Sequence, residues 1–339
     1  MKNKIGLGRD LNRCNLFEIV PRSVPFAVEI AASDVCNFKC IYCNHYTKEG
    51  IKNAKILSWD DFLVIADQLE ELASVGKDDI KVIRFIGNGE PLLNSKLPQM
   101  IECLSKRKIA KRFEVTTNGS LLTNEMSDRL IASGLTRLLI SIQGVSSEKY
   151  KEISGISIDI KDLQEKIKYF YKNKKKCDVF IKTVNIALDS ELQKKQFYEI
   201  FSPICDTINV EDIMRTYDGV DYDKISSENI DNTTRYGNEL KKKICCDTLF
   251  MYMGINSNGD VDCCGCTYPP IYVGNIFKHP LKELWNGQIH KNLMIKHLQG
   301  KRWEIPKCAK CASIEHYNGF KEDNLDEYRN IILPRVEKL

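Results

Sequence analysis

Hydrophobic positions along this chain follow two rhythms. Residues 25 to 33, PFAVEIAAS, alternate apolar and polar side chains, and the same strand signal returns at 80 to 86, 112 to 117, 137 to 142, 179 to 186 and 206 to 212. Between these six candidate strands the apolar period lengthens to that of a helix. The clearest stretch starts at Ser58, an N-cap with Asp61 three residues on, runs through Phe62, Ile65, Ala66, Leu69 and Leu72, and stops at Gly76. Further helices are expected at Lys96 to Lys106, Thr123 to Ser133, Asp159 to Lys174 and Ser190 to Ser202. Strand alternating with helix predicts an α/β fold with a parallel sheet. Residues 25 to 213 are read as a partial (β/α)6 barrel, because the pattern offers six units where a closed barrel needs eight.

The rhythm breaks over residues 214 to 244, a polar, aperiodic stretch read as a connecting loop or lid. It resumes with Leu249 to Ile255, a turn at Asn258-Gly259 and a return strand through Val261, which together predict a β-hairpin. One helix from Leu281 to Leu298 then leads to a cysteine pair. Residues 245 to 320 are thus expected to form a small α+β domain, flanked by an N-terminal extension at 1 to 24 and a charged, weakly periodic tail at 321 to 339.

Length and charge narrow the function classes. The 339 residues are 43% hydrophobic, enough for real cores, and 50 Lys and Arg against 46 Asp and Glu leave a formal charge of only +4. That near balance gives no electrostatic case for a nucleic-acid or membrane-surface partner. No run approaches the ~20 apolar residues of a membrane span, and the first residues lack the apolar core of a signal peptide, so a cytoplasmic protein is expected. Fourteen cysteines change the picture. In a reducing compartment disulfides are disfavoured, which leaves metal or cluster ligation as the leading explanation.

Cys36, Cys40 and Cys43 fall within eight residues, on what should be a loop at the C-terminal end of the first strand, where α/β barrels place chemistry. Three thiolates can hold a four-iron cluster and leave one iron open to an outside ligand. Three small side chains facing a core, or a zinc site completed by His45, are the other readings of this spacing.

With Tyr42 before the third cysteine, this segment resembles the signature of the radical S-adenosylmethionine (SAM) superfamily. Gly87-Asn88-Gly89-Glu90-Pro91 after the second strand is similar to that family's glycine-rich motif, which receives the methionyl amino group of SAM. The third strand ends in Thr116-Thr117-Asn118-Gly119 and the fourth in Ser141-Ile142-Gln143-Gly144, both similar to positions that line the SAM site. Residues 146 to 157, SSEKYKEISGIS, resemble the segment after the family's fourth strand. The resemblance covers residues 25 to 213 and implies a [4Fe-4S] cluster on Cys36, Cys40 and Cys43. It also implies SAM contacts from Tyr42, Gly87, Asn88, Gly89, Glu90, Pro91, Thr117, Asn118, Ser141 and Gln143, with Glu90 facing the ammonium. Asn185 is added as a contact although the fifth strand lacks the glycine pattern of some members.

Seven cysteines remain in the C-terminal part. Gly259 five residues before Cys264, then Val273-Gly274-Asn275-Ile276 and Leu281-Lys-Glu-Leu284-Trp285-Asn286, resemble the auxiliary-cluster extension called SPASM or, in its short form, Twitch. This implies Cys246, Cys264, Cys308 and Cys311 as four ligands of a second [4Fe-4S] cluster. A zinc ribbon pairing Cys263 and Cys266 with Cys308 and Cys311 is the rival, though its gap is longer than usual. Cys245, Cys263 and Cys266 are then spare thiols and candidate hydrogen donors. Cys14, Cys103, Cys177 and Cys205 are assigned no function.

The expected activity is radical chemistry on a small hydroxylated, sugar- or cyclitol-like molecule, oxidised with the auxiliary cluster as electron acceptor or epimerised with a cysteine hydrogen donor. A flavodoxin- or ferredoxin-type reductant is implied. Maturation of a ribosomal peptide is the alternative, weakened because only about 24 residues precede the first strand. A non-catalytic zinc or redox protein is the alternative of a different class.

Overall fold

The computed structural model describes residues 5–6, 13–47, 54–217, 219–226, 232–265, 270–316 and 320–339. Its centre is a sheet ordered β6-β5-β4-β3-β2-β1-β7-β8-β9. The six expected strands are β1 (Ala27–Ile30), β2 (Ile80–Phe85), β3 (Ala110–Thr117), β4 (Arg137–Ile142), β5 (Asp178–Val184) and β6 (Thr207–Glu211). All six pair in parallel, in sequence order. Helices Trp59–Val75, Leu97–Lys106, Asn124–Ala132, Ile160–Asn173 and Glu191–Phe201 make the crossovers. The caps are those the sequence marks: Ser58, Thr123, Asp159 and Ser190 each accept a backbone N–H of the first turn.

Side-chain parity divides the sheet into two faces. Val28, Ile30, Ile83, Phe85, Val115, Leu138, Ile140 and Val179 are all fully buried in the core beneath the helices. The opposite face carries charge. Glu29, Arg84, Glu114 and Arg137 stand in register across β1 to β4, with Arg84 donating to Glu114 at 2.9 Å and to Glu29 at 3.4 Å. A packed barrel fills this face with apolar side chains, so the polar row marks a lumen that stays open to polar occupants.

The predicted hairpin exists as β7 (Tyr252–Ile255) and β8 (Asp260–Asp262), followed by β9 (Tyr272–Asn275), which the sequence pattern does not signal. It is not a separate sheet. β7 pairs in parallel with β1, so the C-terminal part extends the barrel's own sheet beyond its first strand.

One expectation is corrected. The single helix from Leu281 to Leu298 is two, Leu281–Trp285 and Gln288–Leu298, because the chain turns at Gly287, where a Cβ would stand 2.4 Å from the Glu283 carbonyl oxygen. The tail is ordered: helix Arg329–Glu337 buries Ile332 and Val336, and Arg335 donates to the Phe17 carbonyl at 2.7 Å. Beside it Phe17 and Tyr328 stack at 3.7 Å, which joins the N-terminal extension to the C-terminal helix. Within the connecting segment, Tyr222–Ile225 forms one helical turn. Farther along, Arg235 and Lys182 both pair with Glu211. Burial alone would raise the Glu211 pKa, but those two cations hold it at about 2.

Candidate functional site

Beyond β1 the chain leaves the sheet and forms the loop of Cys36, Cys40 and Cys43, pinned by its backbone and by the residues between the thiols. The Lys39 and Ile41 N–H groups donate to the Ser154 and Ile153 carbonyls, each at 2.9 Å. Those acceptors end the helix Ser147–Ser154, which stops at Gly155 with φ +75°. Phe38 is buried and meets Tyr150 edge-on at 6.3 Å. Asn37 donates to Ser120 Oγ and accepts from Asn118 Nδ2, both at 2.9 Å, tying the loop to the end of β3. Asp34, two residues before Cys36, accepts from the Ser257 hydroxyl in the β7–β8 turn. The thiols meet local partners: Cys36 Sγ accepts the Phe38 N–H at 3.4 Å, and Cys43 Sγ donates to Asn44 Oδ1 at 3.0 Å. Burial pushes Cys36 up to about 11 and also raises Cys40 and Cys43, so the thiolates need a cationic centre to exist here.

The strand-end residues assemble around this loop. Gly89 is forced by close approach, since a Cβ would lie 2.4 Å from the carbonyl oxygens of Ser33 and Val35. Tyr42 donates its hydroxyl to Gln143 Oε1, and Gln143 reaches back to the Ser141 carbonyl at 3.4 Å. Asn88 accepts from Asn44 at 3.4 Å through its side chain and from His45 Nε2 through its carbonyl. His45 is therefore turned to the glycine motif and not offered as a fourth zinc ligand. Asn185 accepts from the Ile186 and Ile213 N–H groups at 2.9 and 3.1 Å, which ties the end of β5 to the chain after β6. Over the top, Tyr222 donates to the Tyr42 carbonyl at 3.2 Å and packs with Ile213 against the Tyr42 ring.

Glu90 is held by donors of the protein itself. Its carboxylate accepts from Leu92 N–H at 3.0 Å, Thr117 Oγ1 at 2.6 Å and Asn118 N–H at 2.8 Å, and the residue is 2% exposed. Through these bonds it brackets the turn opened by Pro91 to the end of β3. Burial raises its pKa and the three donors oppose that rise. Glu90→Ala is accordingly expected to cost about 1.5–3 kcal/mol of stability, the value of hydrogen bonds to a charged group, in denaturant unfolding of the cluster-loaded protein. A loss of SAM affinity at unchanged stability would point instead to the direct contact.

In the C-terminal part, Cys246, Cys264, Cys308 and Cys311 line one cavity with His297 and Arg302. Cys264 Sγ accepts the Ile271 N–H at 3.3 Å, and Asp262 shapes its loop by accepting the Cys264 and Gly265 N–H groups at 3.1 and 2.9 Å. Burial lifts Cys246 to about 12 and Cys308 to about 11. Cys245 and Cys263 are each 1% exposed and packed in the core outside that lining, with the Cys245 N–H donating to Asp326 at 2.7 Å. Cys266, one of the four ligands of the rival zinc pairing, lies outside the described residues. Among the described residues, no three or more of His, Cys, Asp and Glu converge as the ligands of a single metal ion would. In number and type, the three thiols of the loop beyond β1 and the four that line the C-terminal cavity are the donor sets of a three-thiolate and a four-thiolate cluster.

His297 escapes sequence reasoning because it and His290, the two histidines of the helix Gln288–Leu298, are seven residues apart and form no metal-spaced pair. Its Nδ1 accepts the Cys246 N–H at 3.1 Å and its Nε2 stands 3.4 Å from Cys308 Sγ. Burial, with the Arg302 charge, holds it down at about 4, so the ring is neutral.

Known proteins share these features. Residues 30–201 match the radical SAM superfamily, and residues 245–312 match SPASM, an iron–sulfur cluster-binding domain. GTP 3',8-cyclase of Clostridium perfringens is 27% identical over 180 residues, 53% of this chain and 51% of that protein, so the chain spans about half the length of that curated relative. The fold is similar to the crystal structure of BtrN in complex with AdoMet and 2-DOIA, with TM-score 0.55 and 15% identity over 88% of this chain and 98% of that one. It is also similar to Streptococcus suis SuiB bound to precursor peptide SuiA, with TM-score 0.61 and 18% identity over 80% of this chain and 66% of that one. No described helix is long and apolar enough to cross a membrane. The cysteine loop beyond β1, the strand ends gathered round it and the match over half the chain place this protein in the radical SAM superfamily, as an enzyme with two [4Fe-4S] clusters, S-adenosylmethionine and a C-terminal SPASM domain.

Proposed function

We propose that the enzyme oxidises a small hydroxylated molecule, sugar- or cyclitol-like, to the corresponding carbonyl compound. The observation that carries this reading is the single cavity lined by Cys246, Cys264, Cys308 and Cys311, four thiolates for four irons with no coordination site left for substrate. A cluster so ligated serves electron transfer. The likeness to BtrN, whose structure holds AdoMet and 2-DOIA and is covered over 98% of its length, supports a small-molecule substrate.

When bound, SAM and the cluster on Cys36, Cys40 and Cys43 supply a 5′-deoxyadenosyl radical that abstracts hydrogen from substrate. The chain's own residues hold and shield. The backbone of Gly87, Asn88 and Gly89, brought close by the absence of side chains on the glycines, receives the methionyl end. Thr117, Asn118, Ser141 and Gln143 offer polar groups to the nucleoside, with Tyr42 fixed by Gln143. Glu90 and Pro91 set the turn that aims the glycine motif, and Asn185 steadies the chain after β6. Within the connecting segment, Tyr222 is the latch on Tyr42. On the lumen face Glu29, Arg84 and Glu114 present charge-assisted partners suited to hydroxyl groups. The division into a barrel at 25–213 and a cluster domain at 245–320, a flavodoxin- or ferredoxin-type reductant, and a reducing cytoplasm belong to the same proposal.

Peptide modification is the second reading, favoured by the likeness to SuiB with its precursor peptide. Anaerobic assay of the reduced enzyme with SAM against cyclitols, sugars and short peptides separates the two. A hydroxylated compound is expected to yield a product lighter by two hydrogens together with an equal amount of 5′-deoxyadenosine. Turnover of peptides alone would replace the first reading with the second.

A further inference from the structure

A thiolate-ligated cluster becomes more negative when it takes an electron. Hydrogen bonds to its sulfurs and positive charge beside it therefore stabilise the reduced state more than the oxidised one, and burial strengthens both effects. Besides the Ile271 N–H on Cys264 Sγ and the exposed Lys307 in the lining, two buried side chains at the C-terminal cavity supply these influences, and neither belongs to a recognised motif.

His297 is 2% exposed and bridges two of the four thiolate residues. Because Nδ1 accepts the Cys246 N–H at 3.1 Å, that nitrogen presents its lone pair and the ring hydrogen sits on Nε2, the atom 3.4 Å from Cys308 Sγ. The imidazole is a directed donor to sulfur. Arg302 is 3% exposed and lines the same cavity. Its Nε is buried with no hydrogen-bond partner, and its guanidinium lies 4.0 Å from the Trp303 ring centroid. The carboxylate facing it, Glu315, is 3.4 Å away and 26% exposed, so water screens that charge more than it screens the arginine. A buried cation with an unsatisfied N–H thus stands among the residues that line the thiolate cavity.

We propose that His297 and Arg302 raise the reduction potential of the auxiliary cluster, His297 through a hydrogen bond to the Cys308 sulfur and Arg302 through its buried charge. The assignment rests on the four-thiolate reading above and gives it a direction. After hydrogen abstraction at a carbinol carbon, the substrate radical loses its hydroxyl proton and one electron to become the carbonyl, and the electron reduces the auxiliary cluster by one. A raised potential makes that transfer more favourable.

The test is a potentiometric titration of full-length protein carrying Cys36→Ala, Cys40→Ala and Cys43→Ala, reconstituted with iron and sulfide and read by electron paramagnetic resonance of the reduced auxiliary cluster. His297→Phe and Arg302→Met are each expected to make reduction at least tenfold less favourable, a downward shift of about 59 mV for a one-electron couple. Arg302→Lys, which keeps the charge, should retain most of the potential. Unchanged midpoints at intact iron content overturn the proposal. Should His297→Phe fail to load its cluster, electron–nuclear double resonance on the unsubstituted His297 protein decides instead, with an exchangeable proton and a nitrogen-15 histidine coupling expected and their absence overturning the hydrogen bond. No substrate enters these measurements, so failure to find a hydroxylated substrate leaves them standing, whereas a flat potential with proven dehydrogenation removes only the tuning.

Discussion

Cys40→Ala protein, reconstituted anaerobically, should hold about four irons where the unaltered protein holds about eight, and should form no 5′-deoxyadenosine above background. The expected loss is total because an open iron exists only while three thiolates hold the other three. The fold should survive. Lys39 and Ile41, on either side of Cys40, are fixed through main-chain donors to the helix Ser147–Ser154, and the Cys43 N–H reaches the Cys40 carbonyl at 2.9 Å, none of which uses the thiol. Removing one half-buried sulfur from such a loop costs about 1 kcal/mol or less. Unfolding midpoints close to those of the unaltered protein, together with four irons retained at the C-terminal cavity, would assign the lost chemistry to the open iron. Continued deoxyadenosine formation by this variant would mean that the cluster does not rest on Cys36, Cys40 and Cys43.

What the sequence makes legible is whatever depends on short-range order. Ser58 and Asp61 announce their helix because an N-cap acts within three residues, and β1 to β6 are visible because burial of one face leaves a period of two. Glu90 shows the limit. Its neighbours in sequence are glycines and a proline, which suggest a ligand loop, but its carboxylate is used by Thr117 and Asn118 on the next strand, partners that no local pattern connects to it. The pairing of β7 with β1 is hidden for the same reason, as residues more than two hundred positions apart share a register. Helix Arg329–Glu337 is masked by its own composition: Pro334 sits inside it, and only Ile332 and Val336 are buried. His297 and Arg302 acquire meaning only when the helix Gln288–Leu298 and the turn after it are laid against the four thiols.

Substituting the second cluster's ligands should separate abstraction from oxidation. In Cys308→Ala the auxiliary cavity loses one of its four sulfurs and His297 Nε2 loses its acceptor, while the cysteine loop beyond β1 and the strand ends around it are untouched. Deoxyadenosine formation is expected to persist, uncoupled, while the carbonyl product falls by more than about 100-fold, because loss of a first ligand should exceed the ten- to hundredfold effects of outer partners. Deuterated water supplies the decisive comparison for the unaltered enzyme. Epimerisation must return a hydrogen to the substrate radical, and a thiol donor exchanges with solvent, so an isomeric product would carry deuterium at the reacting carbon. The described spare thiols are poorly placed for that work, since Cys245 and Cys263 are each 1% exposed in the core. Oxidation needs no such donor, only an acceptor within electron-transfer reach and a proton path from the hydroxyl. A product lighter by two hydrogens and free of solvent deuterium is therefore expected, and an isomeric, deuterated product would overturn oxidation and direct attention to Cys266.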